Sequence, residues 1–380
     1  MTKLFKRAAA GVMALAMCAG LTGCYSENNT WAAKMGDTTL PIGGYIYYLS
    51  SAYSEAAGRV GTESEVLKAD IDGKAGSQWV SDKAMDYLYS YYFVEQKFDE
   101  LGLTLDEEDQ DSIDTVTASM WSGTAYMAGY KDAFEKMGIA ESSFKQAYAV
   151  YNTKLSKVLQ AMYGKGGEME VSDDELHDYY TGDYIYYQYL SVDLTTTNED
   201  GESVDMEDEE KSEIKEYLED QAELVSGGRI ELDTASANYA NFKGAEPTLS
   251  EPSAYRADNL SAVFADALEP LKNGEAAFLE TATRYYIVQR LDVEDDFKAL
   301  MEDESRLSGL LSEMKLEEFS DYAIEQGRSL DVQVNTGALR KVSISKVVDL
   351  MGKNGTSSAS SESSESSGSS ESSSESSDAE

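Results

Sequence analysis

The stretch Asn259–Val293, NLSAVFADALEPLKNGEAAFLETATRYYIVQRLDV, decides the fold of the central part of this chain. Its first half predicts an amphipathic helix, because apolar residues recur at helical spacing. These residues are Leu260, Phe264, Ala267, Leu268 and Leu271. Asn273-Gly274 ends the helix, since glycine readily adopts the left-handed cap conformation. Two runs rich in aromatic and β-branched residues follow, at 277–281 and 285–291, and predict a hairpin that needs a sheet to pack on.

The N-terminal residues have the pattern of an export signal. Lys3, Lys6 and Arg7 precede an apolar run that is too short to cross a membrane comfortably. The next residues, Leu21-Thr22-Gly23-Cys24, resemble the bacterial lipobox. That resemblance implies that residues 1–23 are a signal peptide, removed before a lipid-modified Cys24. An ordinary signal peptide and a short membrane anchor are the alternatives.

The chain is strongly acidic, with 71 Asp and Glu against 31 Lys and Arg and a net charge of -40. Loss of residues 1–23 removes three basic residues and no acidic one, which leaves the mature chain at -43. We therefore expect no binding to nucleic acid and repulsion from anionic lipid headgroups. Cys24 is the only cysteine that remains, which excludes an intramolecular disulfide, a cysteine zinc site and thiol catalysis. No metal or other cofactor is expected.

Three further features bear on chemistry. The only histidine, His177, lies among acidic residues and is interpreted as a solvated surface residue. No nucleophile turn and no phosphate-binding loop occur in the sequence. The acidic segment 196–207 partly matches an EF-hand calcium loop, but Thr196 stands where the first Asp should be. An acidic hairpin or loop is the main interpretation of this segment, with calcium binding as the alternative.

Tyrosine is unusually frequent, with 26 residues in the chain. One interpretation is a core with polar edges, because a tyrosine can bury its ring and keep its hydroxyl hydrated. The other is an adaptable surface for extended polypeptide. The sequence leaves both open, and the candidates for contact with a polypeptide client are Tyr45, Tyr48, Tyr87, Tyr91, Tyr92, Tyr148 and Tyr151.

Helical patterns flank the central stretch on both sides. Residues 31–40 predict a strand, a turn and a strand, 55–78 a long loop, and a helix capped by Ser142 or Ser143 runs to Tyr163. After the central stretch, one long helix is predicted over 297–326. Val332, Val334 and 339–344 suggest closing strands. The Ser/Glu-rich segment 354–380 has almost no apolar side chains and is predicted to be disordered.

Four short motifs, taken in order, resemble the PrsA/SurA group of extracytoplasmic foldases. Lys34–Leu40 is similar to the opening of the family, and Glu100–Glu108 to its helix–Gly–helix junction. Glu135–Ile139 followed by Phe144 resembles a third motif, and Val171–Tyr180, with Ser172 and Glu175 as a capping box, resembles the linker helix that leads into a parvulin domain. The resemblance covers residues 33–345, and its specificity comes from the order of the motifs.

The opening stretch is similar to the second half of a parvulin, a peptidyl-prolyl isomerase. Phe264, Ala267, Leu271 and Gly274-Glu275 match one family motif, and 285–291 matches the closing strand. Glu251 and Tyr255 fit a further family segment, although both glycines of that segment are missing from this chain. Tyrosines stand at the two histidine positions of the family, and Leu260 stands at a methionine position that lines the proline pocket. The resemblance implies a degenerate pocket formed by Tyr189, Leu260, Phe264 and Tyr286.

Together, these observations predict an α+β protein. N- and C-terminal segments form a helical SurA/PrsA-like chaperone module into which a parvulin-like, four-stranded α+β domain is inserted. The expected divisions are 1–23 signal peptide, 24–170 N-terminal helical segment, 171–183 linker helix, 184–293 parvulin-like domain, 297–347 C-terminal helix and strands, and 354–380 tail.

The resemblance implies a lipid-anchored folding factor on the outer face of the cytoplasmic membrane. It would bind unfolded secreted polypeptides, and its isomerase domain would be weak or inactive because both histidines are replaced. An active peptidyl-prolyl isomerase is the first alternative, and a solute-capturing or adhesion lipoprotein is the second. The sequence leaves the oligomeric state open, with a dimer among the options.

Overall fold

The computed structural model describes residues 30–61, 66–125, 127–197 and 201–355. The predicted signal peptide, Cys24 and residues 356–380 lie outside them. The described part is α+β, which confirms the predicted fold class. It divides into two compact units, unit 1 (the described residues up to Val158 and from Glu317 onward) and unit 2 (the described residues of Leu159–Leu316). By this division, residues 159–170 and 297–316 fall in unit 2. Within the described ranges, no helix is both long and apolar enough to span a membrane.

The N-terminal part of unit 1 begins with a strand pair and continues with helices. Its elements are β1 (Trp31–Met35), β2 (Thr38–Pro41), α1 (Ile42–Val60), β3 (Asp70–Ile71), β4 (Lys74–Ala75), α2 (Gly76–Glu100), α3 (Glu107–Ser122), α4 (Lys131–Met137) and α5 (Glu141–Phe144). The predicted strand, turn and strand over 31–40 is confirmed. The loop predicted for 55–78 is wrong, since this region holds the end of α1 and the hairpin β3–β4. Positive φ angles at Asp72 and Gly73 close that hairpin.

The helix that ends at Tyr163 is not capped as predicted. Its first residues belong to α5, followed by a π-helical turn at Lys145–Val150 and by α6 (Tyr151–Tyr163). The N-cap position is occupied by Ala140, which makes no side-chain cap. Ser143 lies inside the helix and is buried against Gly43, where an added Cβ would be 2.8 Å from the Ser143 Cβ. A serine in this place permits close packing of two helices rather than a cap.

Unit 2 is built around one antiparallel sheet. Its elements are α7 (Asp173–Asp183), β5 (Tyr184–Asp193), β6 (Thr195–Thr197), β7 (Ser203–Asp205), α8 (Asp208–Ser226), α9 (Leu232–Lys243), β8 (Thr248–Leu249), β9 (Ser253–Arg256), α10 (Ala262–Leu268), β10 (Ala276–Glu280), β11 (Arg284–Arg290) and α11 (Val293–Glu302). Ser172 caps α7, because its Oγ accepts a hydrogen bond from the Glu175 N–H at 3.1 Å. The hairpin predicted from the opening stretch is present as β10–β11, and the predicted helix is present as α10, but α10 ends at Leu268 and not at the predicted stop Asn273-Gly274.

The sheet has five strands, not the four predicted. The order is β10-β11-β5-β8, and β9 also pairs with β5. Leu190 pairs with Leu249 of β8, and Tyr184 to Tyr187 pair with β9, so two short strands share one edge position. Pro252 lies between them and has no N–H to donate to the ladder, which accounts for the interruption.

Alternation along the strands gives the sheet two apolar faces. Leu190, Val192 and Ile287 pack on one face against the core formed with α8 and α9. Ile185 and Val288 pack on the other face with Leu268 of α10. Since α10 has only seven residues, it covers a small part of this second face.

The C-terminal elements differ from the prediction in two places. The remaining elements are α12 (Glu304–Arg328), β12 (Gln333–Val334), α13 (Thr336–Leu339) and α14 (Ile344–Gly355). The single helix predicted over 297–326 is divided at Asp303, whose Oδ1 accepts from the Ser305 and Arg306 N–H groups at 3.0 Å and so caps α12. β12 pairs with β1 as a closing strand. The strand predicted at 339–344 is wrong, because Asn335 accepts from the Ala338 N–H and starts a helical turn; residues 354 and 355 belong to α14.

Candidate functional site

The tyrosines proposed from the sequence as client contacts lie in or against the core of unit 1. Tyr45, Tyr48, Tyr91 and Tyr92 are buried, and Tyr87, Tyr148 and Tyr151 are partly buried against them. Burial raises the pKa of Tyr45 to about 12. Their hydroxyls mostly have internal partners; Tyr92 accepts from the Leu40 N–H at 3.2 Å, and Tyr91 accepts from Gln146 at 2.7 Å. Of the two interpretations of these tyrosines, the structure favours the core.

The four pocket residues implied by the parvulin resemblance come together on the second face of the sheet in unit 2. Tyr189, Leu260, Phe264 and Tyr286 belong to one partly buried apolar cluster. The ring centroids of Phe264 and Tyr286 are 5.2 Å apart, those of Tyr189 and Tyr286 5.6 Å, and those of Tyr189 and Phe264 6.0 Å. All three pairs meet edge to face, the favourable arrangement for aromatic rings.

Strand register positions this trio. Tyr189 pairs with Val288, and Tyr286 pairs with Ser191, so the two tyrosines project from the same face at diagonal positions. Phe264 comes from α10, which lies above the same strands. Because the side-chain period of a strand is two, a shift of one residue in either strand would remove one tyrosine from the trio.

Two more aromatic residues extend the cluster, and sequence analysis did not select them for the pocket. Tyr187 lies 5.9 Å from Phe264 and 5.7 Å from Tyr255, between ring centroids. Burial raises the pKa of Tyr187 to about 12, whereas the Tyr255 side chain on β9 is 49% exposed. The alternation of aromatics in β5, YIYYQYL, is the signal that could have identified Tyr187. We call Tyr187, Tyr189, Tyr255, Phe264 and Tyr286 the aromatic face.

One edge of the aromatic face is charged. Arg284 pairs with the carboxylate of Asp193 on the neighbouring strand. Asp193 and then Tyr286 raise the pKa of the guanidinium, so it remains a cation. At another edge, the Tyr189 N–H donates to Ser250 Oγ at 2.8 Å, which fixes the backbone beneath the tyrosine. The face therefore offers aromatic contact area with hydrogen-bonding groups at its margin.

His177 takes no part in this face. Its Nε2 lies 2.9 Å from a carboxylate oxygen of Glu294, and its ring contacts Phe297 edge to face. The Glu294 carboxylate and then Asp178 raise the pKa of the imidazole above its usual 6.5. The side chain is partly exposed, close to the solvated position predicted for it. The aromatic face thus contains tyrosine hydroxyls and a guanidinium but no imidazole that could exchange protons near neutral pH.

The described residues contain no group of three or more His, Cys, Asp or Glu side chains that could hold a metal ion. The segment compared with an EF-hand forms, as far as it is described, the hairpin β6–β7, in which Thr196 pairs with Val204. Residues 198–200 lie outside the described ranges. The default interpretation of an acidic hairpin agrees with this pairing.

Comparison with known proteins finds structural relatives. Foldase protein PrsA from Streptococcus pneumoniae is matched over 81% of this chain and 96% of its own, with 14% identity and a TM-score of 0.33. PrsA from Bacillus subtilis is matched over 76% of this chain and 92% of its own, with 14% identity and a TM-score of 0.26. A structure of SurA-like chaperones from Campylobacter jejuni, which include the virulence factor PEB4, is matched over 80% of this chain and 99% of its own. The identity is 13% and the TM-score is 0.27.

These proteins belong to the group that the sequence motifs resemble. No family model matches the chain, and no curated protein matches it. Because the TM-scores are below 0.5, no property of these proteins is assigned to the chain from them.

Proposed function

We propose that this chain is an extracytoplasmic protein-folding factor that binds unfolded secreted polypeptides on the aromatic face. The observation that carries the proposal is the accumulation of five aromatic side chains on one side of the sheet, with Tyr255 half exposed. Aromatic rings provide large contact area at a low entropic cost and tolerate many partner sequences. A client in extended conformation would place apolar side chains on the rings and backbone groups near the tyrosine hydroxyls.

We further propose that the chain is held at the outer face of the cytoplasmic membrane by lipid on Cys24. The lipobox-like sequence Leu21–Cys24 supports this proposal. A net charge of -43 would keep the mature protein away from anionic headgroups, so that client-binding surfaces remain accessible above the membrane. Mass spectrometry of the membrane fraction tests the proposal through the mass of the lipidated N-terminal peptide, which Cys24→Ala should abolish.

Isomerase activity is proposed to be weak or absent. Rotation about a prolyl peptide bond has a barrier of about 20 kcal/mol, which an apolar pocket with well-placed hydrogen bonds can lower. Here tyrosines stand at both positions where parvulins carry histidine. A tyrosine hydroxyl can donate one hydrogen bond, but it does not exchange protons near neutral pH as an imidazole does.

An active prolyl isomerase is the second candidate function. It is favoured by the contact of Tyr189, Phe264 and Tyr286, since this trio occupies the positions that the parvulin resemblance assigns to the proline pocket. In that case Phe264 would contact the proline ring, and the Tyr189 and Tyr286 hydroxyls would hydrogen-bond to the twisted peptide. No covalent step is involved, so the missing nucleophile does not exclude it.

Two assays separate these functions. Suppression of aggregation of an unfolded client measures binding, and protease-coupled turnover of Xaa-Pro peptides measures isomerisation. We expect suppression without turnover, and we expect Phe264→Ala and Tyr255→Ser to reduce the suppression. Tyr130→Ser is the matched control, because Tyr130 is a tyrosine of unit 1 with a similar exposure of 46%.

The outcomes are distinct. Turnover that Phe264→Ala abolishes would establish the isomerase and contradict a pure binding function. Equal losses from Tyr255→Ser and Tyr130→Ser would mean that clients bind to exposed tyrosines in general. A chain that is inactive in both assays would point to solute capture or adhesion instead.

A further inference from the structure

Unit 1 contains a cavity of about 550 Å³ that the proposed function does not use. This volume lies within the range of small-molecule sites in proteins. Side chains from α1, α4, α13 and α14, and from Val342 between the last two helices, form its apolar lining. The apolar lining residues are Ile42, Ile46, Met137, Ala338, Val342, Val347 and Leu350. A hydrocarbon group placed there would leave water and contact aliphatic side chains on several sides.

The charged residues that line the cavity are both cationic. They are Lys341 and Lys346, and the remaining polar lining residues are Thr30, Asn335 and Ser343. Among the described residues, no carboxylate lines the cavity, although the chain has 71 acidic residues against 31 basic ones. Within the described ranges, neither lysine ammonium takes part in a salt bridge. Local charge is therefore opposite to that of the whole molecule and favours an anionic ligand.

We propose that this cavity binds a fatty-acid carboxylate, an anionic amphiphile with a single hydrocarbon chain. The chain would lie on the apolar lining, and the carboxylate would face Lys341 and Lys346. Both parts of the site are needed for tight binding. A hydrophilic anion would make no favourable contact with the apolar lining, and a neutral apolar molecule would make no ion pair with the lysines. The free acid is favoured over a membrane phospholipid, since a mature chain of net charge -43 is repelled by an anionic bilayer surface.

Isothermal titration of the full chain with octanoate, decanoate and dodecanoate, each below its micelle concentration, tests the apolar part of the site. We expect affinity to rise about fourfold with each added methylene until the cavity is full. A neutral sugar amphiphile and a quaternary ammonium amphiphile of equal chain length test the charge. We expect the neutral one to bind on the order of tenfold more weakly than the carboxylate, and the cationic one not to bind.

Two variants locate the site. Gly337→Leu adds a bulky side chain to a lining residue whose Cβ would have only Asn335 Oδ1 within 4 Å, at 3.6 Å, so it narrows the lining at that point while the charges remain. It should weaken binding. Lys341→Gln with Lys346→Gln should weaken carboxylate binding on the order of tenfold and leave the neutral amphiphile unaffected. Lys68→Gln with Lys131→Gln makes the same charge change at exposed lysines elsewhere in unit 1 and should change nothing.

Several results would overturn the proposal. They are the absence of carboxylate binding by the full chain, equal affinity for the three head groups, and carboxylate binding that neither variant weakens. The lysine variant keeps the test valid if Gly337→Leu unfolds, because exposed lysines do not support the core. Binding to vesicles of anionic phospholipid but not to the free acid would contradict the choice of ligand.

Discussion

Replacement of Arg306 by methionine should destabilise unit 2, because it leaves a buried carboxylate without its cation. Asp296 is only 8% exposed. Its Oδ2 accepts from Arg306 Nη2 at 2.7 Å and from the Tyr180 hydroxyl. Breaking a fully buried ion pair costs about 3–5 kcal/mol. The Arg306 side chain is 37% exposed, so water can partly replace it, and we expect a loss of about 2 kcal/mol.

Urea unfolding followed by far-UV circular dichroism measures this loss. With a slope of about 2 kcal/mol per molar urea, the midpoint of the unit 2 transition should fall by about 1 M. Removal of both charges, Asp296→Leu with Arg306→Met, should restore at least half of the lost stability, because no carboxylate then remains buried. Lys298→Met breaks a pair with Asp295 in which both side chains are more than 70% exposed, so it should shift the urea midpoint much less than Arg306→Met does. Equal effects of Arg306→Met and Lys298→Met would refute the reasoning.

Three further predictions concern single residues. Contact with Glu294 raises the pKa of His177 in the folded protein above 6.5. The contribution of the protonated His177 to stability is therefore complete below pH 6.5 and is lost as the pH rises through the raised pKa. His177→Gln should remove this pH dependence from a series of urea midpoints. Tyr48→Phe should raise the unfolding free energy by up to about 1 kcal/mol, because the buried hydroxyl has no partner among the described residues. Gly327→Ala should lower it by about 1–3 kcal/mol, since its Cβ would lie 2.2 Å from the carbonyl oxygen of Tyr89.

Matched variants control these predictions. A His177→Gln variant that keeps the full pH dependence would remove this histidine as its source. Tyr92→Phe deletes a hydroxyl that accepts from the Leu40 N–H, so it should destabilise where Tyr48→Phe does not. Gly309→Ala lies in the same helix as Gly327 but has open space around its Cβ, and it should stabilise by up to about 1 kcal/mol. A loss from Gly309→Ala equal to that from Gly327→Ala would contradict the packing argument.

Local sequence patterns correctly predicted those elements in which all neighbouring residues favour the same secondary structure. A helix and a hairpin form within 259–293 because helical spacing and β-branched residues favour these structures, although the helix ends at Leu268 and not at the predicted glycine stop. The strand predicted at 339–344 is wrong because a neighbouring residue favours a different structure. Its residues are compatible with a strand, but the Asn335 cap commits the preceding residues to a helical turn, and no strand follows.

The candidate site was predicted only in part, because the sequence does not show which tyrosines are buried. Tyr189, Phe264 and Tyr286 could be grouped in advance, because the parvulin resemblance fixes their register. Burial of Tyr91 and Tyr92 could not be read from a list of tyrosines, since a tyrosine suits a core and a surface equally well. Which role applies depends on tertiary neighbours that lie far away in sequence, as with the Tyr92 hydroxyl and the Leu40 N–H.

The most direct test of the central claim is site-specific cross-linking to an unfolded client. A photoreactive phenylalanine analogue would replace Tyr255 on the aromatic face in one version of the full chain, and Tyr130 in another, as the two side chains have similar exposure. Our account predicts a cross-linked client from position 255 that is lost on addition of excess unlabelled client, and little or none from position 130. Equal cross-linking from both positions, or cross-linking from position 130 alone, would contradict the assignment of client binding to the aromatic face.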